Sequence, residues 1–341
     1  MQRRISSTGD KNIQRWLSAL LCGVLVAACE LSGASAAWAQ TQQRPRVSRA
    51  MTGAEQRRDG AAAQRQQLDE LARRAMLVAC TEREQDPQGS APIDEMQERP
   101  SLPLRHAEVL AGAERAERLL PVAKTLAAES LRVMLREYGI RETAAVRAAF
   151  ARLARVRTVK PDIELRDNAS VIYKEPRTIR FGTIFLAGLR SDEGMLSVLA
   201  HELTHVADGA QGSLSALFRG VARRASGAAQ LQRINLRRGE ELTCDLVGAL
   251  AVRAYIARTP GVETLARRTS RALAHNCVER DHTDRSHLSP RTTMRALLSI
   301  DPALAREITG EATEASAPPQ RPPARRTQRR AAHPFPPTPR R

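Results

Sequence analysis

The sequence predicts an α+β fold, mostly helical, with a small β-sheet packed on one central helix. Three observations predict it. Apolar residues recur at helical spacing through residues 105–137, at Val109, Leu110, Leu119, Leu120, Leu126, Leu131 and Met134. β-branched and aromatic residues concentrate in one short region, Ile163 to Leu186. The third is the stretch Val198 to Ala207, an apolar helix pattern that carries His201, Glu202 and His205.

In chain order, residues 1–39 read as a signal peptide. Arg3, Arg4, Lys11 and Arg15 form a basic start, Trp16 to Ala28 is an apolar run too short to span a bilayer, and Ala37-Trp38-Ala39 is a small-x-small cleavage site. A second reading stays open, because Val26-Ala27-Ala28-Cys29 has the form of a bacterial lipoprotein box. Export, to a periplasm, is the expected location, with a lipoprotein anchored at Cys29 as the alternative. Residues 40–104 are expected to be a mostly disordered linker with one helix, Gln64 to Thr81; five Pro and Gly between residues 82 and 104 are loop composition. The folded domain is placed at 105–308. Its first stretch reads as one or two helices broken or restarted at Pro121, followed by a helix from Arg141 to Val156.

Three strands come next: 163–165, 170–173 and 178–186, the last two joined by the turn 174–177. Gly182 interrupts the alternation and marks a bulge or a close approach of substrate. The central helix begins at Ser191, a cap followed by Asp192 and Glu193. Residues 213–224 are helical and could form a wall or lid of a cleft; Gly239 to Leu250 is a helix with one apolar face; short helices at 263–274 and 292–298 close the domain. Residues 309–341 form a disordered tail, with eight Pro and seven Arg from Gly310 onward.

The chemistry is carried by His201-Glu202-x-x-His205. Residues four apart lie one helical turn apart on one face, so the two imidazoles aim at one point and Glu202 reaches a water held there. That is the arrangement of a catalytic zinc: nitrogen ligands, a carboxylate base and an open position. A third protein ligand is sought on the helix at 239–250. Glu241 and Asp245 share a face there, Glu241 as the zinc ligand and Asp245 accepting a hydrogen bond from a ligand imidazole.

His201-Glu202-x-x-His205 followed by Glu241-x-x-Cys244-Asp245 resembles the HtpX-like and CAAX-prenyl-protease-like zinc metallopeptidases, gluzincins whose third ligand is Glu. The resemblance implies a zincin-like metallopeptidase domain over 105–308. Cys244 stands where the family usually has Ala. Ile179 to Leu189 is similar to the family's edge strand and its lead into the metal helix, along which a substrate backbone would pair. Ser286-His287-Leu288-Ser289-Pro290 is similar to its Thr-His-Pro-Ser segment, making His287 a candidate donor to the oxyanion; Thr293 falls where an Arg is expected, with Arg295 nearby. The function implied is a zinc-dependent metalloendopeptidase of envelope or periplasmic proteins, with one zinc ion, Glu202 as general base, and a protein or peptide as substrate. The alternative is a non-catalytic, zinc-stabilised envelope assembly factor or chaperone.

The formal net charge is +17, almost wholly from Arg, since only four Lys are present. With Ala so frequent, the simplest reading is a coding bias toward Arg and Ala; a loose affinity for an anionic envelope, as in peripheral association with a membrane, is the other. Aromatic residues are 3% of the chain and no nucleic-acid module is present, which speaks against nucleic acid as a partner. Three cysteines lie beyond the leader: Cys80, Cys244 and Cys277. In an oxidising compartment Cys80 and Cys277 are the expected pair, with Cys244 buried beside zinc.

Overall fold

Helix follows helix in the computed structural model, which describes residues 53–229, 234–278 and 287–310. The expected leader, Cys29, and the tail beyond residue 310 lie outside the described residues. In order, the elements are α1 (Gly53–Gln85), α2 (Ile93–Glu98), α3 (Ala107–Glu137), α4 (Ala144–Arg155), β1 (Thr158–Asp162), β2 (Ala169–Val171), β3 (Thr178–Gly182), α5 (Thr183–Gly188), α6 (Asp192–Asp208), α7 (Ser215–Ala228), α8 (Leu236–Arg258), α9 (Leu265–Leu273), a 3₁₀ turn (Ala274–Asn276), α10 (Pro290–Ile300) and α11 (Ala303–Thr309). The fold is mostly helical with one small sheet, the α+β class expected.

α6 is the central helix. It packs against α3, α4, α8 and α9 and touches β2. Its register is fixed at both ends. Ser191 caps it by accepting from the Gly194 amide at 3.0 Å. Arg118 makes a bidentate pair with Asp192 at 2.7 and 3.0 Å. At the other end Arg152 donates to the carbonyls of Val206, Ala207 and Asp208, groups that the helix itself leaves without partners. Gly209 then turns the chain at φ 63°, a left-handed value suited to glycine.

Several sequence expectations change. From Gly53 on, the expected linker is more ordered than expected: α1 begins there, α2 forms within the expected loop, and Ala72, Ala75, Ala79 and Met96 join the common core. The alanines give little hydrophobic signal, and their burial depends on α9 and α10, far away in sequence, while Met96 is buried against Gly188 of α5. α3 is one continuous helix through Pro121. Pro121 and Glu117, whose carbonyl loses its partner, both face solvent, so water can satisfy that group. Leu110, expected in the core, is 53% exposed.

The sheet also differs. Residues 163–165 are a turn, and β1 lies earlier, at Thr158–Asp162. β3 ends at Gly182, where α5 takes over. The strand order is β1-β3-β2, with β1 parallel and β2 antiparallel to β3. β3 is therefore the central strand, not an edge for substrate. Its residues are buried on both faces, Arg180 only partly. The close approach at Gly182 is made by the chain itself: a Cβ there would stand 1.9 Å from the Arg166 carbonyl oxygen. The turn at 174–177 joins β2 and β3 as expected.

Cys80 and Cys277 form a disulfide, with Cα atoms 5.5 Å apart, tying α1 to the segment after α9; Cys244 is free and buried. Among the described residues, no helix is long and apolar enough to cross a membrane.

Candidate metal centre

His201 and His205 lie one turn apart on α6, and their Nε2 atoms are 3.2 Å apart. α8 crosses α6 here. Its approach depends on Gly248, where a Cβ would sit 2.9 Å from the Ser197 carbonyl oxygen. Gly248 lies on the same helical face as Glu241, Cys244 and Asp245, so the close crossing delivers those side chains to the two imidazoles. Gly239 performs the same service against α7, where a Cβ would meet the Phe218 carbonyl oxygen at 2.8 Å.

Glu241 Oε2 lies 3.3 Å from each Nε2. Three donors separated by 3.2–3.3 Å outline one face of a tetrahedron. An ion bound at ~2.0–2.1 Å has ligand-to-ligand edges of about 3.3 Å, so these residues fit a small cation. His201, His205 and Cys244 also place one ligand atom each within 4.8 Å of one another. This group could hold a metal ion. The donor set is thus two imidazoles with a carboxylate and a thiol as rivals for the third place. The carboxylate oxygen holds the tetrahedral spacing, and burial pushes the Cys244 thiol up, which keeps it protonated.

The outer nitrogens are held as firmly. His201 Nδ1 lies 2.9 Å from Asp245 Oδ1, and His205 Nδ1 lies 2.9 Å from Glu240 Oε1. An ionised carboxylate can only accept, so each Nδ1 carries the proton and each Nε2 is left to face the common point. Burial works against the imidazolium form of His201, but the carboxylates of Asp245 and Glu241 overcome it and hold the group well above its ordinary value. His205 is raised in the same way, with Glu240 in place of Asp245. Burial would lift the Glu241 carboxyl, yet His201, His205 and His287, all facing it, hold it far below the carboxylate range. Positive charge is favoured at this point from every side.

Glu202 is 6% exposed, and burial raises its carboxyl above the usual range. It lines an open cleft of about 1230 Å³ together with His201, Glu241, Asp245 and His287. His287 is half-exposed, and its Nε2 lies 3.4 Å from Glu241 Oε2. Five of the six residues singled out from the sequence, His201, Glu202, Glu241, Asp245 and His287, line one cleft, and the sixth, His205, lies behind them against His201 and Glu241. Arg295 does not line it: it pairs with Asp69 of α1 at 2.5 Å. No described residue between 209 and 229 lines the cleft, so α7 supports α8 and is not a lid.

Two residues at the site were not singled out. Glu240 reads as a solvated acid at a helix start, and only the α6–α8 crossing turns it toward His205. His275, in the 3₁₀ turn beside the disulfide, lines the cleft with Nδ1 buried and unpartnered, and burial pushes its imidazole down to about 4. No sequence signal marks it, because it lies about seventy residues from the motif. Searches of family models, of curated proteins and of solved structures find no match to this chain.

Proposed function

We propose that the chain is a zinc-dependent metalloendopeptidase acting on exported proteins. The observation that carries this reading is the tetrahedral spacing of His201 Nε2, His205 Nε2 and Glu241 Oε2 beside a buried Glu202 that faces a cleft.

His201, His205 and Glu241 would hold the ion, Asp245 and Glu240 fixing the two tautomers. Zinc, when bound, lowers the pKa of a water toward ~7 and polarises the substrate carbonyl. Glu202, with its raised carboxyl, takes the proton from the attacking water and passes it to the leaving amine. His287 stands at the mouth of the same point and donates to the developing oxyanion. The cleft is large enough for several residues of an extended peptide. A purely structural zinc site, as an assembly factor would have, is more often closed by four protein ligands and has no use for Glu202.

Purified protein assayed for bound metal and for cleavage of a peptide mixture tests the reading. The expected result is about one zinc per chain, cleavage that chelator abolishes, and a Glu202→Gln variant that keeps the metal and loses cleavage. Full activity in Glu202→Gln would overturn the base assignment. Stable zinc without cleavage of any peptide would favour the non-catalytic assembly factor.

A further inference from the structure

We propose that the cleft selects peptides by basic side chains, so that arginine or lysine near the scissile bond decides which substrates are accepted. This rests on the peptidase reading and adds to it the class of substrate.

The chain carries a net charge of +17, yet the cleft has the opposite sign. Away from the metal-ligand group its walls present Glu84, Asp94, Glu95, Glu98 and Asp167. Against them stand Arg83 and Arg238. Arg83 is already shared between Glu84 at 3.9 Å and Glu95 at 3.7 Å. The acids do not form a metal-ligand group; among the described residues that description belongs to His201, His205 and Cys244. They line a cavity whose floor holds Glu202, 6% exposed and without a hydrogen bond or ion pair to any described residue. A buried carboxylate without a partner, facing an open cleft, is itself a mark of a place where a ligand sits.

The acids sit on fixed elements. α2 is seated by Met96, fully buried against Gly188, and by the Ala91 amide donating to the Gly188 carbonyl at 3.1 Å. Arg166 donates to the carbonyls of Gln97 and Arg99 at 3.1 and 3.0 Å, joining the turn that carries Asp167 to the end of α2. The disulfide holds Cys80 at the cleft, four residues before Glu84. Charges of one sign on low-dielectric walls focus the field within a cleft, attracting cationic ligands and repelling anionic ones. The acids of this cleft therefore attract basic peptides despite the chain's net positive charge.

The test uses the Glu202→Gln full-length protein, which would bind without cleaving. Three labelled octapeptides differ only at three positions, bearing Arg, Gln or Glu, and binding is read by fluorescence anisotropy. The Arg peptide should bind at least about tenfold tighter than the Glu peptide, and the gap should narrow in strong salt. Neutralising the wall in Glu84→Gln/Glu98→Gln/Asp167→Asn should cost the Arg peptide roughly tenfold, the sum of three modest exposed charge contacts. Equal binding of the three peptides would overturn the proposal, and that comparison needs no variant of the wall. Wild-type cleavage of the same peptides separates the two readings. An Arg preference in binding with no cleavage sinks the peptidase and leaves the selectivity; cleavage indifferent to charge sinks the selectivity and leaves the peptidase.

Discussion

The Nδ1 atom of His205 lies 2.9 Å from Oε1 of Glu240, so the second imidazole of the motif is oriented by an acid that precedes the expected ligand by one residue. Such outer partners fix a tautomer and raise the basicity of the ligating nitrogen. Glu240→Gln should therefore weaken metal binding by ~10–100-fold while leaving the fold intact, and Asp245→Asn should do the same through His201. Chelator competition against the wild type measures it. Unchanged affinity in both variants would show that the tautomers are set elsewhere.

Glu241 and Cys244 compete for the third ligand position, and substitution decides between them. Glu241→Gln should lose most of the metal, whereas Cys244→Ala should keep it, since the buried thiol stays protonated. Metal content after dialysis is the readout. Loss in Cys244→Ala with retention in Glu241→Gln would reverse the assignment.

Gly248 sets how closely α8 approaches α6. Alanine is intrinsically better in a helix by roughly 1 kcal/mol. Its Cβ would nonetheless meet a backbone oxygen of Ser197 at 2.9 Å. That oxygen belongs to a helix packed on several sides and cannot yield cheaply, and overpacking of this kind costs about 1–3 kcal/mol. Gly248→Ala should thus be destabilising overall in denaturant unfolding, with weaker metal binding as α8 is pushed away.

Asp86 predicts an acid-side dependence of stability. Its side chain is 2% exposed and is paired with Arg271, and it accepts from the Gln88 amide at 2.9 Å. Burial works against the charged carboxyl, but Arg271 and the Gln88 amide overcome it and hold the group below its usual value. A carboxyl depressed in the folded state adds stability above its unfolded pKa of ~3.9, and that stability is lost as pH falls through the lower folded value. Asp86→Asn should cost about 1–3 kcal/mol near neutrality, moderated because Arg271 keeps Glu263. The difference from wild type should shrink as pH drops below ~4. A difference independent of pH would assign the loss to packing.

The disulfide between Cys80 and Cys277 closes a separation of 197 residues. Reduction, or Cys80→Ser, should lower unfolding free energy by about 2–5 kcal/mol, read from denaturation with and without reductant. No change would mean that α1 is held to the C-terminal helices by packing alone.

Local patterns were enough for what local physics controls. The i,i+4 spacing of His201 and His205, the Ser191 cap with its two acids, the apolar period of α3 apart from Leu110 and the turn before β3 are each written within a few residues, and each stands in the structure. Glu241 and Asp245 were legible for the same reason, since their spacing alone puts them on one face. What the tertiary structure decided was which faces meet. Glu240 became a partner of His205, β3 became the central strand, Gly182 met the Arg166 backbone, and α1 and α2 became a wall of the cleft, all through contacts between residues far apart along the chain. Such pairings rest on the shape and area of surfaces that exist only after the helices have packed, and no window of sequence contains both sides of them.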